Sequence, residues 1–466
     1  MLCLVSVKHD TIMSHYKNRI YVILAKNKKI ANAKNHGAYS YAGALIMEGP
    51  QMKRIRICIA ILLIAVFAAG APGCASSAKA AGLMDNISPN NVAGKLADRA
   101  FIANMADFSI ELFAKSIEAE RNSLVSPLSV LLALAMTANG ADNNTLAQME
   151  KLLGGDIPLT ELNAYLYSYA GRLPNADKSR LEIANSIWFR GDGNRLQVEA
   201  GFLQRNADYY NAAAFRSAFD ARTVSDVNNW VKKSTAGMID RIINEIDDRL
   251  MMILINAVMF DAEWQKVYTR ESVRAGDFTK INGAVQNVDF MHSTETTYLE
   301  DDMATGFIKP YVGGGYSFAA LLPNKGVSIG EYIASLTGEG FLHTIGSAQQ
   351  TTVFASMPKF KYAYEIKMND ALISLGIPDA FSQPKADFSR MGTSADGNLF
   401  ISLVLHKTFI SVDELGTKAG AVTSVSMAGG GMPQEPKIVH LDRPFIYAII
   451  DNATNLPVFI GTLMTV

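Results

Sequence analysis

The order of the apolar patterns along the chain is the feature that most limits its possible folds. From about residue 96, apolar residues recur at spacings of three and four, as in "FIANMADFSIELFAKSIEAE" (101–120), and this spacing predicts half-buried helices. Strand-like runs come later, among them "MMILINAVMF" (251–260), "YSFAALLP" (316–323) and "ISLVLHKTFISVDE" (401–414). Helices first, mixed elements next and strands last predict one α+β domain over residues 96–466.

Cysteine usage limits how that domain is stabilised. The three cysteines are Cys3, Cys58 and Cys74, so none follows residue 74. The predicted domain therefore has no disulfide, no thiol nucleophile and no cysteine-based metal site. Hydrophobic residues make up 49% of the chain, which is enough for a large core. We expect packing alone to hold the domain together.

A basic and then apolar segment precedes the domain. "MKRIRICIAILLIAVFAAGAPGC" (52–74) has the charged start, short apolar run and small-residue end of a secretory signal peptide. Its "APGC" ending resembles a bacterial lipobox, which makes Cys74 the expected lipidated residue; an uncleaved anchor and ordinary signal cleavage are the alternatives. We expect residues 1–51 to lie upstream of the true start and residues 75–95 to form a linker. The protein is then secreted or extracytoplasmic and contacts a membrane only through this lipid.

The charge distribution argues against a nucleic-acid partner. Residues 1–74 carry ten Lys/Arg and two Asp/Glu, whereas the whole chain has a net charge of −1. The remainder is therefore acidic. Nucleic-acid binding requires clustered positive charge, which the predicted domain does not show.

The motifs of several enzyme classes are missing from the chain. It has no H-E-x-x-H, no Walker phosphate-binding loop and no G-x-G-x-x-G. The four histidines after residue 74, at 292, 343, 406 and 440, share no metal-ligand spacing. A Ser–His–Asp arrangement assembled in space stays open at this point. We predict no catalytic residue, metal or cofactor, and we expect His406 in "LVLHKTFISV" to be a hydrogen-bonded core residue.

The segment "DELGTKAGAVTSVSMAGGGMP" (413–433) has the composition of a loop but the side-chain alternation of a strand. In an extended conformation, one face would carry only small or apolar side chains: Thr417, Ala419, Ala421, Thr423, Val425 and Met427. Lys418 falls on the other face. Because Gly, Ser and Ala are common in loops, a flexible linker is the alternative interpretation.

Many ordered motifs make residues 96–466 resemble a serpin. They include "NSLVSPLSVLLALAMTANGADNNTLAQM" (122–149), "LINAVMFDAEW" (254–264), "MPKFKYAYEIKMNDALISLGIPDAFSQPKADFS" (357–389), "HKTFISVDELGTKAGAVTS" (406–424) and "DRPFIYAIID" (442–451). The resemblance implies a serpin fold of about nine helices and three β-sheets, with an exposed reactive-centre loop. It also implies suicide inhibition of proteases, usually serine and sometimes cysteine proteases.

The resemblance assigns roles to the residues that match the family's motifs. The reactive-loop hinge comprises Glu414, Gly416, Thr417, Ala419, Ala421 and Thr423. The bait bond falls at Gly430 and Gly431, with Met427 and Met432 as alternatives. The cluster at which the central sheet opens comprises Ser126, Ser129, Asn256, His406 and Trp264. Gly416 is expected to supply backbone freedom at the start of the hinge.

Two functional interpretations follow from the resemblance. In the first, the cleaved loop inserts into the central sheet and traps a protease, and Thr417, Ala419 and Ala421 are small enough for the buried face. Lys418 and Gly420 depart from the family pattern, but both lie on the outward face. In the second, the protein is a non-inhibitory serpin that acts as a binding or structural protein or as a protease substrate. A small or Met bait favours elastase-like or subtilisin-like proteases, and we expect a monomer.

Overall fold

A computed structural model of the protein describes residues 79–191, 195–247, 249–417 and 435–466. The predicted upstream region (1–51), the signal segment with Cys74, and most of the predicted reactive loop lie outside the described residues.

Nine α-helices form within the described residues. They are α1 (Arg99–Ser116), α2 (Pro127–Ala138), α3 (Asn143–Gly154), α4 (Leu159–Arg172), α5 (Ala200–Tyr210), α6 (Ala221–Ser234), α7 (Ile329–Ser335), α8 (Gly338–Gly346) and α9 (Asn369–Ser374). Asp98 caps α1 by accepting a hydrogen bond from the Phe101 N–H. Every residue of α2 is buried, so this helix lies inside the protein, as its apolar sequence predicts.

The described residues also form eighteen strands and two short 3₁₀ helices, Arg270–Ser272 and Asp379–Phe381. The strands are β1 (Ala81–Gly82), β2 (Ser123–Val125), β3 (Ser179–Arg190), β4 (Leu196–Val198), β5 (Ala213–Ser217), β6 (Met252–Glu263), β7 (Val273–Thr279), β8 (Val285–Glu300), β9 (Ala304–Pro310), β10 (Tyr316–Pro323), β11 (Gln349–Pro358), β12 (Phe360–Lys367), β13 (Gly392–Ser394), β14 (Leu403–Val412), β15 (Gly416–Thr417), β16 (Lys437–His440), β17 (Phe445–Asp451) and β18 (Pro457–Leu463).

The central sheet has seven strands in the order β1-β5-β3-β6-β15-β14-β12. β3 and β6 run antiparallel and pair along nearly their whole length. β6 and β14 run parallel and pair only from Ile253–Leu403 to Ala257–Lys407. The two-residue strand β15 lies between them near their other ends and runs antiparallel to both.

A second sheet packs against the central sheet. Nine strands form it, eight in the order β16-β11-β8-β9-β10-β17-β18-β2, with β7 paired to β8. β4 and β13 make a third, two-stranded sheet. The largest apolar cluster joins side chains of both large sheets and α2, including Phe260 of β6 and Phe459 of β18. The described residues therefore confirm the expected α+β fold with three sheets.

Residues 79–95, the described part of the predicted linker (75–95), pack against the domain. β1 pairs with β5, the Asn90 N–H donates to Asp208, and the Lys95 N–H donates to the Ala164 carbonyl. Among the described residues, no helix has both the length and the apolar character needed to cross a membrane.

Candidate functional site

The central sheet contains a gap between β6 and β14. Their parallel pairing ends at Ala257 and Lys407, and β15 pairs with both strands near the other end. Between these points, no pairing within the described residues joins residues 258–261 of β6 to residues 408–411 of β14. We call this gap the slot. It is about four residues long, or roughly 13 Å at the rise of a β-strand.

β15 holds the first residues of the predicted hinge at the mouth of the slot. An added Cβ on Gly416 would lie 2.1 Å from the Ala262 carbonyl oxygen, so only glycine allows this close approach. The backbone of Gly416 is not in the positive-φ region. Close approach to β6, rather than the expected backbone freedom at a turn, therefore explains this glycine.

The Thr417 side chain faces the core. It is 1% exposed, and its hydroxyl lies 2.6 Å from the Tyr311 hydroxyl. The other predicted hinge residues on this face, together with the bait, lie outside the described residues: Ala419, Ala421, Thr423, Met427, Gly430, Gly431 and Met432.

Aromatic side chains support the chain just before β15. The Trp264 indole N–H donates to the Asp413 carbonyl at 2.9 Å, and the Trp264 ring stacks on Tyr311 with centroids 4.5 Å apart. The backbone N–H of Tyr268, rather than its side chain, donates to the Glu414 carbonyl at 2.9 Å. These contacts fix the path of residues 413–417 above the slot.

A partly exposed ion-pair network joins the hinge to a neighbouring strand. The Lys359 ammonium lies 2.9 Å from Glu414 and 3.0 Å from Asp289. These two hydrogen bonds raise the pKa of Lys359. Burial has the largest single effect and raises the pKa of Glu414, but the hydrogen bond from Lys359, a backbone hydrogen bond and the charge of Lys359 together lower the pKa of that carboxyl below its usual value.

A row of polar side chains closes the inner end of the slot. Asn185, Asn256 and His406 lie directly opposite one another on β3, β6 and β14. Asn256 donates to the Asn185 side chain at 2.6 Å and to the Ser129 hydroxyl at 2.5 Å, and its carbonyl oxygen bonds to His406 Nδ1. His406 Nε2 accepts from the Ser126 backbone N–H at 3.1 Å. We call these five residues the polar row.

The hydrogen bonds of His406 define its protonation state. Because Nε2 accepts a hydrogen bond, Nδ1 must carry the proton that it shares with Asn256, and the ring is neutral. Burial lowers the pKa of His406 to about 3. The prediction of a hydrogen-bonded core histidine agrees with this environment.

The structure brings together only part of the predicted sheet-opening cluster. Ser126, Ser129, Asn256 and His406 converge, but Trp264 follows the far end of β6. Eight residues separate Trp264 from Asn256, a distance of roughly 26 Å along the strand. Trp264 therefore belongs to the mouth of the slot. Asn185 is the member that sequence reasoning missed, and only its place opposite Asn256 reveals it.

One sequence match to a hydrolase nucleophile pattern has a structural explanation. Residues 326–330 read G-V-S-I-G, the G-x-S-x-G spacing. Ser328 is the N-cap of α7, where its hydroxyl accepts from the Glu331 N–H and donates to the Glu331 carboxylate. This capping box occupies the hydroxyl and explains the serine without catalysis.

Comparison with known proteins identifies the family. The family model described as "Serpin (serine protease inhibitor)" matches residues 103–466. The chain belongs to the serpin family. An uncharacterized serpin-like protein of Thermococcus kodakarensis is 30% identical over 367 residues, which cover 77% of this serpin and 84% of that relative. Members of the family are mostly inhibitors rather than catalytic enzymes.

Two solved structures of one thermophilic serpin, tengpin, allow the conformation of this protein to be compared with two known serpin states. Tengpin in the native state is 59% identical, with a TM-score of 0.80 over 84% of this chain and 100% of that chain. Tengpin in the latent state is 58% identical, with a TM-score of 0.72 over 80% of this chain and 100% of that chain. The described conformation is thus more similar to the native state of tengpin than to its latent state.

Proposed function

We propose that this serpin is a suicide inhibitor of serine proteases. The protease nucleophile attacks a bait bond within residues 418–434, forms an acyl-enzyme ester and releases a new amino terminus. The cleaved loop then enters the slot as an additional strand and carries the protease with it. Deformation of the protease active site leaves the ester unhydrolysed.

The slot is the observation that supports this proposal. If the antiparallel register of β15 continues, Ala419 lies opposite Phe260 and Ala421 lies opposite Val258, on the face that Thr417 already directs to the core. Methyl groups enter this space without desolvating a polar group, which would cost about 1–3 kcal/mol. Continued alternation keeps small side chains on that face as far as Thr423.

The unusual hinge residue Lys418 is compatible with the same register. In that register Lys418 would pair with Asp261, the one half-buried side chain of β6. Both side chains would then lie on the face of the sheet that points away from the core. Asp261 already pairs with Arg180 at 3.3 Å. The inserted ammonium would therefore meet a carboxylate near the surface, where neither ion loses much hydration.

Full insertion also requires the polar row to open. Twelve inserted residues would span roughly 40 Å, whereas the slot admits only about four. The pairs from Ile253–Leu403 to Ala257–Lys407 must then separate, and with them the Asn256–His406 bond. The polar row thus controls how far the loop enters.

The small bait residues suggest the protease class. With Gly430 and Gly431 as bait, or Met427 or Met432 as alternatives, elastase-like and subtilisin-like pockets fit better than trypsin-like ones, which require Lys or Arg. Mass spectrometry of the cleaved serpin tests this assignment. A cut at Lys418 or Arg443 would contradict it.

Denaturing electrophoresis after incubation with subtilisin or pancreatic elastase tests the inhibitory function. We expect a covalent complex that survives boiling in detergent, and a loop-cleaved form that melts well above the intact protein because it has gained a strand. Cleavage of the loop with the protease left fully active would instead establish the alternative, a non-inhibitory serpin that acts as a substrate.

The location of the protein is a separate proposal. The signal segment and its "APGC" ending support an extracytoplasmic monomer tethered through a lipid on Cys74. Expression in a bacterium with labelled palmitate, with Cys74→Ser as control, tests it. Label in both proteins, or in neither, argues against lipidation at this cysteine.

A further inference from the structure

A buried ion pair lies behind the hinge. Lys309 and Glu295 are on adjacent strands β9 and β8, with Nζ and Oε1 2.8 Å apart and side chains only 1% and 6% exposed. Among the ion pairs of the described residues, this is the one in which both side chains are this deeply buried. Burial lowers the pKa of Lys309, and the Glu295 carboxylate opposes that shift.

The Lys309 ammonium also contacts two aromatic rings beside the hinge. It lies 4.3 Å from the centre of the Tyr268 ring and 5.5 Å from the centre of the Trp264 ring. Both distances are within the range of cation–π attraction. The Trp264 ring N–H donates to the Asp413 carbonyl, whereas Tyr268 donates to the Glu414 carbonyl through its backbone N–H. The cation therefore contacts one ring that bonds directly to the hinge segment and a second ring beside it.

Stability alone does not explain this arrangement. Removing two ions from water is costly, and well-packed apolar residues of similar volume are often equally stable or more stable at such sites. The pair is instead placed where orientation matters. Two ring faces and one carboxylate define the position of the ammonium, and the ammonium in turn limits rotation of the rings.

We infer that Lys309, fixed by Glu295, is a positioning residue for loop insertion, because it holds the Trp264 ring, whose N–H bonds to the Asp413 carbonyl at the mouth of the slot. This inference rests on the proposed function. Without the cation the rings can turn, the bond to the Asp413 carbonyl weakens, and the hinge enters the slot without cleavage.

A double substitution separates positioning from stability. Glu295→Leu with Lys309→Met replaces both ions by apolar side chains of similar volume, so urea unfolding should stay within about 1 kcal/mol of the original protein. We expect spontaneous conversion to an inserted, urea-resistant form to become at least about fivefold faster, which corresponds to about 1 kcal/mol. In a Trp188→Phe/Trp230→Phe background, Trp264 emission should shift to longer wavelength before conversion.

Two control variants complete the test. Lys309→Arg keeps a cation against the rings and should convert at nearly the original rate. Val458→Ala creates a cavity in β18 of the second sheet; it should lower the free energy of unfolding without shifting the Trp264 emission. The inference is wrong if the double variant converts no faster than the original protein, or if Val458→Ala accelerates conversion as much.

The conversion assay needs no protease, so it is independent of the inhibition assay. Faster conversion of the double variant, in a protein that forms no covalent protease complex, would support the positioning role and reject the inhibitory function. Normal complex formation with unchanged conversion would reject only the positioning role.

Discussion

If the proposed inhibitory function is correct, replacing Thr417 with arginine should turn the protein into a protease substrate. The Thr417 side chain is 1% exposed and contacts the buried Tyr311 hydroxyl at 2.6 Å, so the site accepts a small neutral group. A guanidinium there costs several kcal/mol of desolvation, so we expect the intact variant to leave residue 417 outside the sheet and to bury it only when the cleaved loop inserts. At about 1.4 kcal/mol for each tenfold change in rate, a penalty of about 4 kcal/mol slows insertion roughly a thousandfold. Hydrolysis of the acyl-enzyme then becomes the faster step.

The assay measures how cleaved molecules divide between complex and free product. Titration of a fixed amount of protease with the original protein should reach complete inhibition near one equivalent, whereas Thr417→Arg should be cleaved with the protease left active. Thr417→Ser keeps the hydroxyl and should behave like the original protein within about twofold. An unchanged yield of complex with Thr417→Arg would refute the assignment of this residue to the core-facing side of the inserting strand.

Three further predictions test the mouth and the inner end of the slot. Gly416→Val should push β15 away from β6, because its Cβ would lie 2.1 Å from the Ala262 carbonyl oxygen. Limited proteolysis should then cleave residues 413–417 faster than in the original protein. Equal cleavage rates would contradict the close-approach argument. Asn185→Ala removes the acceptor of a 2.6 Å bond from Asn256 and should cost about 1–3 kcal/mol in chemical unfolding, whereas Asn287→Ala, at an exposed bond to Asp277, should cost less than about 1 kcal/mol. Burial lowers the pKa of His406 to about 3, so between pH 6.5 and that value the unfolded chain binds a proton that the folded chain does not, and stability must fall as the pH falls. From about pH 7.5 to pH 5 this residue alone should remove about 2 kcal/mol; His406→Gln should lose that much less over the same interval, and parallel profiles for the two proteins would show that His406 is not the titrating group.

The helices and the motif positions could be predicted from the sequence because their signals are local. The spacing of apolar residues in α1 and the uninterrupted apolar run of α2 both correspond to the observed burial. Gly416 shows the limit of such signals, because its close approach to another strand could not be predicted from the sequence. Its closest neighbour is Ala262, more than 150 residues earlier in the chain, and no local pattern reports such an approach.

The slot and the polar row depend on pairings that no local pattern contains. β14 pairs with β6, so His406 lies opposite Asn256 only after the chain between them has folded. Asn185 sits in "RLEIANSIWFR", where an isolated amide looks like an ordinary outward-facing strand residue. The burial and pairing of Lys309 and Glu295 could not be predicted from the sequence either, since a Lys or a Glu in a strand is usually exposed.

The polar row lies two residues beyond the slot and would divide the proposed insertion into two stages. Entry as far as Ala421 would fill the gap without disturbing any described strand pair, whereas the next residue must compete for Ala257 and Lys407. The second stage begins at the Ala257–Lys407 pair and, one residue later, breaks the Asn256–His406 contact. Hydrogen bonds between neutral buried groups have little net strength while paired, about 0.5–1.5 kcal/mol each, yet are costly to leave unpaired. Entry of the loop as far as Ala421 therefore breaks no polar hydrogen bond and is reversible. Deeper entry occurs only if the new strand makes enough contacts to compensate for the broken hydrogen bonds of the polar row. Such a threshold would keep the intact loop outside the sheet and would let the cleaved loop, free to advance further, go to completion.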